Sequence, residues 1–525
     1  MCRASPGIFG NRFTHVSPRA ARFTALVGAL AAALAGCAQP ATQVGTTADA
    51  ELVVDGSGDS DAIAVDAAAD GPAAAADSAP DQLSDIDGAE LADGADAAIF
   101  VATPGPLPTD ATGCTASYLG EPPTGTCAVF VQQWSCPQPA GFAAAARAAD
   151  GGFAVVGRIG NATWIVRSAS DGKPLWQRVF PSPSYAVDVI GVANGGWVLV
   201  AAGGDSSFVA RLDSNGSVVW SIALNANVAK VVQLASGGFA VAVHRFENWT
   251  SSLSLVRIDA AGGVAGASSH ELYQGGWISS LIRRPDHSLA MAFTQKQGAG
   301  AYSGVLWNFD GLGLPAGQTS ACKEAIVRPQ ADGTTLMGCN TYAYGAGVFA
   351  TYVVRMNQGD QQWRTWVTSV GKQWLAFWTT TAFDAFADGA SLIGSAKTET
   401  RWSRIAGDGQ FAWHRQGAVA HDLLALPDGG FAAVGFAGEA TQAVATVVRA
   451  DRWGNAECAA ATACAGLAPD ACNDGNGCTS DICASAGVCT HVALDDYTPC
   501  DAGASKGNSS QTSACIGGAC KDNAW

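Results

Sequence analysis

Beyond a basic leader, histidine occurs at His244, His270, His287, His414, His421 and His491, and these six rings are the side chains best suited to carry protons near neutral pH. Hydrolysis would need one of them beside a nucleophile, or else a pair of carboxylates. They fall at unrelated places in the repeat described below, and neither Gly-x-Ser-x-Gly nor His-Glu-x-x-His occurs. His414-Arg415 follows Trp413, and His421-Asp422 opens an apolar run, contexts that fit surface or packing roles. Glycine-rich stretches lie between apolar runs and lack the Gly-Lys-Ser/Thr ending of a phosphate loop. The sequence therefore offers no catalytic, cofactor-binding or metal-binding residue, and the expectation is that no cofactor is held.

Cysteine is the other candidate for chemistry. From Cys472 the spacing runs x5, x4, x5, x10, x14 and x4 through Cys478, Cys483, Cys489, Cys500, Cys515 and Cys520, with no C-x2-C pair of the kind zinc sites use. Disulfides fit better, provided the chain is exported. Earlier, Cys322 and Cys339 bracket two apolar runs. With the turn centred on Gln330 and Ala331 they face each other on adjacent strands, and a disulfide between them is expected.

The elements that position these residues come from one repeated stretch, typified by Arg211-Leu-Asp-Ser-Asn-Gly-Ser-Val-Val-Trp220. An arginine recurs at Arg167, Arg211, Arg257, Arg355, Arg404 and Arg449, with Trp307 in the slot of the fourth copy, in steps of 44, 46, 50, 48, 49 and 45 residues. Upstream of each lies a turn between two β-prone runs: Gly151-Gly152, Gly195-Gly196, Gly237-Gly238, Asp286-His287, Asp332-Gly333, Asp388-Gly389 and Gly429-Gly430. Such turns favour hairpins because glycine adopts positive φ without penalty. Each of the seven units thus supplies four short antiparallel strands. A period of this length with four strands indicates a β-propeller blade, which must cover its faces with its neighbours. Trp176, Trp220 and Trp413 follow the arginine by nine residues and Trp363 by eight, as packing between blades requires.

The run Arg-x-Asp-x-x-Gly-x-x-x-Trp, with Gly151-Gly-Phe-Ala-Val-Val-Gly157 before it, resembles the delta-60 and quinoprotein-like propeller repeats of bacterial surface and secreted proteins over roughly residues 138–458. That resemblance implies architecture, since propellers host unrelated functions. Quinoprotein dehydrogenases usually have eight blades, a calcium-bound quinone and often an adjacent cysteine pair. This chain has seven units and no Cys-Cys dipeptide.

Residues 1–37 read as a leader: Arg3, Arg12, Arg19 and Arg22, then a short apolar run ending in Leu34-Ala35-Gly36-Cys37. This ending resembles the lipobox of bacterial lipoproteins, which implies lipidation of Cys37, diacylated as the mature N-terminus. Ala38 in place of aspartate points to the outer membrane, with the face left open. Two or three acyl chains make such anchoring stable.

Between Ala38 and Ala146 there are 16 Asp or Glu residues and no Lys or Arg. Residues 38–112 are Ala/Asp-rich with few aromatics, the composition of a disordered acidic tether. Most of the net charge of −16 lies here, which argues against nucleic acid as a partner. The propeller is assigned to residues 113–458 and a small disulfide-rich module to residues 459–525. Cys472-Asn-Asp-Gly-Asn-Gly-Cys478-Thr-Ser-Asp-Ile-Cys483 resembles a cysteine-rich repeat of extracellular matrix and bacterial surface proteins, with Asn473 where the family usually has Asp. Without Cys2 and Cys37, 14 cysteines remain, an even number.

The last repeat carries Cys458 where other units have Trp, and the stretch 128–136 looks like a blade strand. This N-terminal strand is expected to complete the seventh blade, with a disulfide from the cysteines of 114–136 to Cys458 or Cys464. The overall expectation is an all-β, seven-bladed propeller on a lipid-anchored tether. It would serve as a surface binding or interaction module for a protein or glycan. A propeller enzyme, quinone-dependent or glycan-cleaving, and a purely structural envelope or matrix component are the alternatives.

Overall fold

A computed structural model describes residues 103–521, with gaps in loops, the longest at 371–378 and 494–513. The leader, Cys37 and most of the tether therefore lie outside the described residues. The described chain is almost entirely β, in seven antiparallel sheets that follow one another in sequence. The first strands of successive blades are Ala140–Arg147, Tyr185–Gly191, Asn227–Gln233, Gly276–Arg283, Lys323–Pro329, Thr379–Ala385 and Asp422–Ala425. Each lies against the next, and the seventh lies against the first, so they form a closed ring around a central channel. Three further strands step outward from each, and the apolar cores sit between blades, as in the cluster of Phe239, Val241 and Val256 with Val198, Val200 and Val209. Among the described residues no helix is long and apolar enough to cross a membrane.

The seventh sheet holds only three strands from the end of the repeat region. Its fourth is Phe130–Ser135, paired antiparallel with Val444–Ala450, and Thr115–Leu119 adds a fifth. The Cys127–Cys458 disulfide ties the two chain regions together there, and Cys114–Cys136 holds the added strands to each other.

Five of the six recurrent arginines hydrogen-bond between blades, while Arg167 binds Asp150 of its own blade and reaches the next through the Trp197 ring. Arg211 donates to the Ala260 carbonyl of the next blade at 3.0 Å, Arg257 to Leu312 at 3.0 Å, Arg355 to Gly407 at 2.9 Å and Arg404 to Gly429 at 2.9 Å. Arg449 donates to Ser170 of the first blade and closes the circle. Opposite the arginine in the outermost strand sit Trp176, Trp220, Trp363 and Trp413. Trp176, Trp220 and Trp413 donate Nε1–H to the following blade at Ser214, Ala260 and Arg452. Their rings lie over turn glycines that carry no Cβ: at Gly216, with φ 80°, a Cβ would come within 2.8 Å of the Trp176 ring. In the seventh blade this slot belongs to Phe130, which pairs with Arg449 and lies over Gly172 of the first blade. Trp134, further along the same strand, is packed edge-on against Trp164 deeper in that interface.

Register corrects the fourth repeat. Arginines pair with the second residue of the preceding strand, as Arg211 does with Val198, and in the fourth blade Asn308 holds that position opposite Ala290. Trp307 is one residue earlier, and a one-residue offset in a strand turns a side chain to the opposite face. Asn308 accepts a 2.7 Å hydrogen bond from Arg284. The same blade places His287 at φ 67°, where the equivalent turns use glycine. The left-handed conformation costs a side chain with a Cβ roughly 1–2 kcal/mol. His287→Gly is expected to raise stability by about 1 kcal/mol, read from the midpoint of denaturant unfolding.

Cys322 and Cys339 form a disulfide with Cα atoms 5.6 Å apart. The turn between them sits a residue later than the sequence suggested, with Gly333 at φ 81° taking the corner, and the pairing slips across Glu324 and Ala325.

Two pieces frame the propeller. Thr103–Pro104 pairs with the outermost strand of the second blade, Val218–Leu224, and Thr109–Asp110 with that of the first, Pro174–Phe180. Residues 103–110, placed by composition in the tether, therefore belong to the propeller wall. The C-terminal module begins with the short helix Cys458–Cys464, followed by the hairpin Thr479–Cys483/Cys489–Ala493. Cys464–Cys483, Cys472–Cys489 and Cys478–Cys515 staple it. Cys464, Cys472 and Cys483 share a core with Trp402, Trp413 and Trp453, so the module is seated against the last two blades.

Candidate functional site in the central channel

The innermost strand of a blade is an edge strand, and some of its N–H groups would face the channel without a partner. Here side chains from the neighbouring blade accept them. Asp188 Oδ2 accepts from Val231 N at 3.0 Å, Asp384 Oδ2 from Ala425 N at 2.7 Å, and Asp422 Oδ2 from Ala145 N at 2.9 Å. Ser280 Oγ takes the same part toward Val327 N at 3.3 Å. Each bond runs from one blade to the next, and the one at Asp422 joins the seventh blade to the first.

Two cations complete the group. Arg328 Nε donates to Asp384 Oδ1 at 2.8 Å, and Lys230 Nζ lies 3.7 Å from Asp188 Oδ1. The side chains keep only part of their surface accessible, 29% for Arg328 and 13% for Asp384. Burial works against the Arg328 charge, yet Asp384, Asp422 and Asp188 outweigh it and hold its pKa above the usual value. Burial pushes Asp422 up to about 6, against the pull of Lys230, Arg328 and the Ala145 N–H, and the Asp188 charge adds to the rise. Among the described residues three carboxylates and two cations from five blades meet in the channel, and the acid in surplus is Asp422, whose pKa burial raises to about 6.

Sequence reading missed this group, although a signal was present. Asp188, Lys230, Ser280 and Asp422 each precede the corner residue of their turn by seven positions, and Arg328 and Asp384 by five. Aligning the blades on Gly195, Gly237, His287, Gly333, Gly389 and Gly429 would have placed all of them on the channel wall.

The histidines do not join them. His421 stacks on Phe436 at 4.6 Å, and burial followed by the nearby Arg158 charge lowers its pKa. His270 lies beside Trp307, and His244 has its pKa lowered by burial. His414 Nδ1 is 2.8 Å from Ser403 Oγ, the spacing of a nucleophile and its base. Ser403 is buried between strands, however, and the far ring nitrogen of His414 faces Arg401 at 3.5 Å where a triad would need a carboxylate.

In the C-terminal module His491 Nδ1 lies 2.8 Å from Asp481 and 3.5 Å from Asp474. These three side chains fall within 4.8 Å of one another. The carboxylates also hold the loop, since Asp481 accepts from Asp474 N at 3.1 Å and Asp474 from Asn476 N at 2.8 Å. The hydrogen bond to Asp481 raises the His491 pKa, with the charges of Asp481 and Asp474 adding to it. The stabilisation from this pair is complete below the ordinary histidine pKa and fades as pH rises through the raised one. A pH titration of module stability should accordingly fall through neutrality, and His491→Gln should flatten that fall.

The ring of blades, its inter-blade staples and its charged channel define the class: a seven-bladed β-propeller built from sequence repeats. Solved structures similar to the chain include a streptogramin B lyase, 11% identical over 64% of this chain and 98% of that one, with a TM-score of 0.36. Virginiamycin B lyase from Staphylococcus aureus is 11% identical over 64% and 99%, with a TM-score of 0.38. The WD40 repeats of RRP9 are 9% identical over 63% and 99%, with a TM-score of 0.40. No protein-family model and no curated protein matches the chain.

Proposed function

We propose that this chain is a cell-envelope lipoprotein, anchored in the outer membrane through Cys37, whose propeller serves as a binding and interaction module for a protein or glycan. One observation carries the binding reading over the enzymatic one. Two of the channel's three carboxylates are paired with cations and all three accept backbone N–H groups of adjacent blades, so the chemistry that converges there is spent on holding the ring. The export reading is supported by the lipobox-like Leu34-Ala35-Gly36-Cys37 and by six described disulfides, which persist in an oxidising compartment.

Two measurements test it. Cys37→Ser should release the protein from the outer-membrane fraction and abolish incorporation of labelled palmitate. Purified protein lacking the anchor should bind an immobilised envelope glycan or protein, and Asp422→Asn should leave that binding intact. Turnover of a glycan, or a quinone absorbance spectrum in the presence of calcium, would overturn the binding reading.

A further inference from the structure

Three side chains of the C-terminal module, Asp474, Asp481 and His491, bring their ligand atoms within 4.8 Å of one another. The ladder and the disulfides put them there. Asp481 and His491 are direct partners across the hairpin Thr479–Cys483/Cys489–Ala493, so their side chains leave the same face. Asp474 and His491 each stand two residues after one end of the Cys472–Cys489 disulfide. Cys478–Cys515 and Cys464–Cys483 brace the strand that carries Asp481 from either side. The three groups are therefore positioned before any ligand arrives.

The two carboxylates divide their oxygens between the loop and this cluster. Asp481 Oδ2 accepts from Asp474 N at 3.1 Å, and Asp474 Oδ1 accepts from Asn476 N at 2.8 Å and from Thr479 Oγ1 at 2.9 Å. Such outer contacts orient a ligand. The remaining oxygens, Asp481 Oδ1 and Asp474 Oδ2, turn to His491 Nδ1 at 2.8 and 3.5 Å. Among the described residues no Lys or Arg is paired with either acid, and Asp474 Oδ2 has no other partner. A protonated His491 offsets only one of the two carboxylates, although the Asp481 side chain is buried.

A divalent cation supplies the missing charge, and the donor set decides which one. Calcium and magnesium favour sites built from oxygen, whereas one imidazole nitrogen with two carboxylate oxygens suits zinc. The module's described cysteines are all taken up in disulfides, so no thiolate competes. Size agrees. Tetrahedral bonds of about 2.1 Å place neighbouring donors about 3.3 Å apart, and the observed 2.8 and 3.5 Å lie on either side of that spacing. We propose that Asp474, Asp481 and His491 bind one zinc ion, with a fourth position open to water. The ion replaces the proton shared by His491 Nδ1 and Asp481 Oδ1, which is released to solvent. The site rests on the module alone and stands whatever the propeller binds.

The test is a calorimetric titration of the exported full-length protein, disulfides intact and stripped with a chelator, with zinc chloride near neutral pH. One zinc ion per chain is expected. Asp474→Asn and His491→Gln should each weaken binding by about tenfold or more, and excess calcium should not displace the ion. Mass spectrometry of the unreduced variants shows whether their disulfides have closed. A reading free of substitutions comes from the histidine ring signals in nuclear magnetic resonance: zinc should shift those of His491 and leave those of His244, His270, His287, His414 and His421 in place. Absence of zinc binding would overturn the assignment, and so would displacement by calcium. Full affinity in both variants, or shifts at another histidine in place of His491, would put the ion elsewhere in the chain and overturn it as well.

Discussion

Replacing Arg328 with methionine is expected to lower stability by about 3 kcal/mol at pH 7.5, measured by urea unfolding. Arg328 binds Asp384 directly and its charge also favours ionised Asp422, so its loss leaves two half-buried carboxylates short of a countercharge. The effect should depend on pH in a definite direction. Asp422 has a folded pKa of about 6 against an ordinary 3.8, so it favours the folded state when protonated. Its contribution is greatest at low pH and is lost as pH rises through 6. Removing Arg328 raises that pKa further. The variant should therefore lie close to the wild type near pH 5 and diverge from it above pH 7. Asp422→Asn in the wild-type background should flatten the decline between pH 4 and 7, a change of up to about 3 kcal/mol by linkage. A uniform loss at all pH values in Arg328→Met would mean that the side chain matters for packing and not for charge.

The second large effect concerns ring closure. Cys127 and Cys458 are 331 residues apart in sequence, so their bond encloses nearly the whole propeller. In the chain-entropy account a loop longer than 100 residues stabilises by about 5 kcal/mol, with native strain reducing the figure. Replacing both cysteines with serine is expected to cost about 3–5 kcal/mol. The loss should appear first as protease cleavage near residue 127, because Phe130–Ser135 is held by hydrogen bonds on one flank and by Thr115–Leu119 on the other. Replacing Cys322 and Cys339 together should cost about 3 kcal/mol, since that loop spans 17 residues. If both pairs cost the same, closure by the N-terminal strand is not what limits stability.

The blades were legible because their signals are local. A turn glycine, an arginine and, in four units, a tryptophan eight or nine residues after it specify a hairpin and its packing, and repetition supplies the rest. Even the joining of the chain's ends could be read, from the missing tryptophan near Cys458 and the spare strand near residue 130. Two errors came from the same source. Trp307 was matched by residue type where the ladder selects Asn308, and Cys458 was set in the seventh slot where Phe130 fills it. Register is fixed by pairing across strands, which type alone does not reveal. Residues 103–110 were hidden because two-residue pairings carry no periodicity. The channel group was hidden for a different reason: Asp188, Lys230, Arg328, Asp384 and Asp422 lie on five blades, and their meeting depends on closure of the ring.

That closure also dictates an order of events. Phe130 finds its partner at Arg449, so the strand that is synthesised first is among the last to pair. While the intervening blades emerge, Phe130–Ser135 keeps one apolar face and the edge meant for Val444–Ala450 uncovered, the kind of segment that invites wrong pairings. Contacts so distant in sequence form slowly. Maturation of this protein should thus show a lag between formation of the first six blades and acquisition of the Cys127–Cys458 bond, and a chaperone that shields the waiting strand would shorten it.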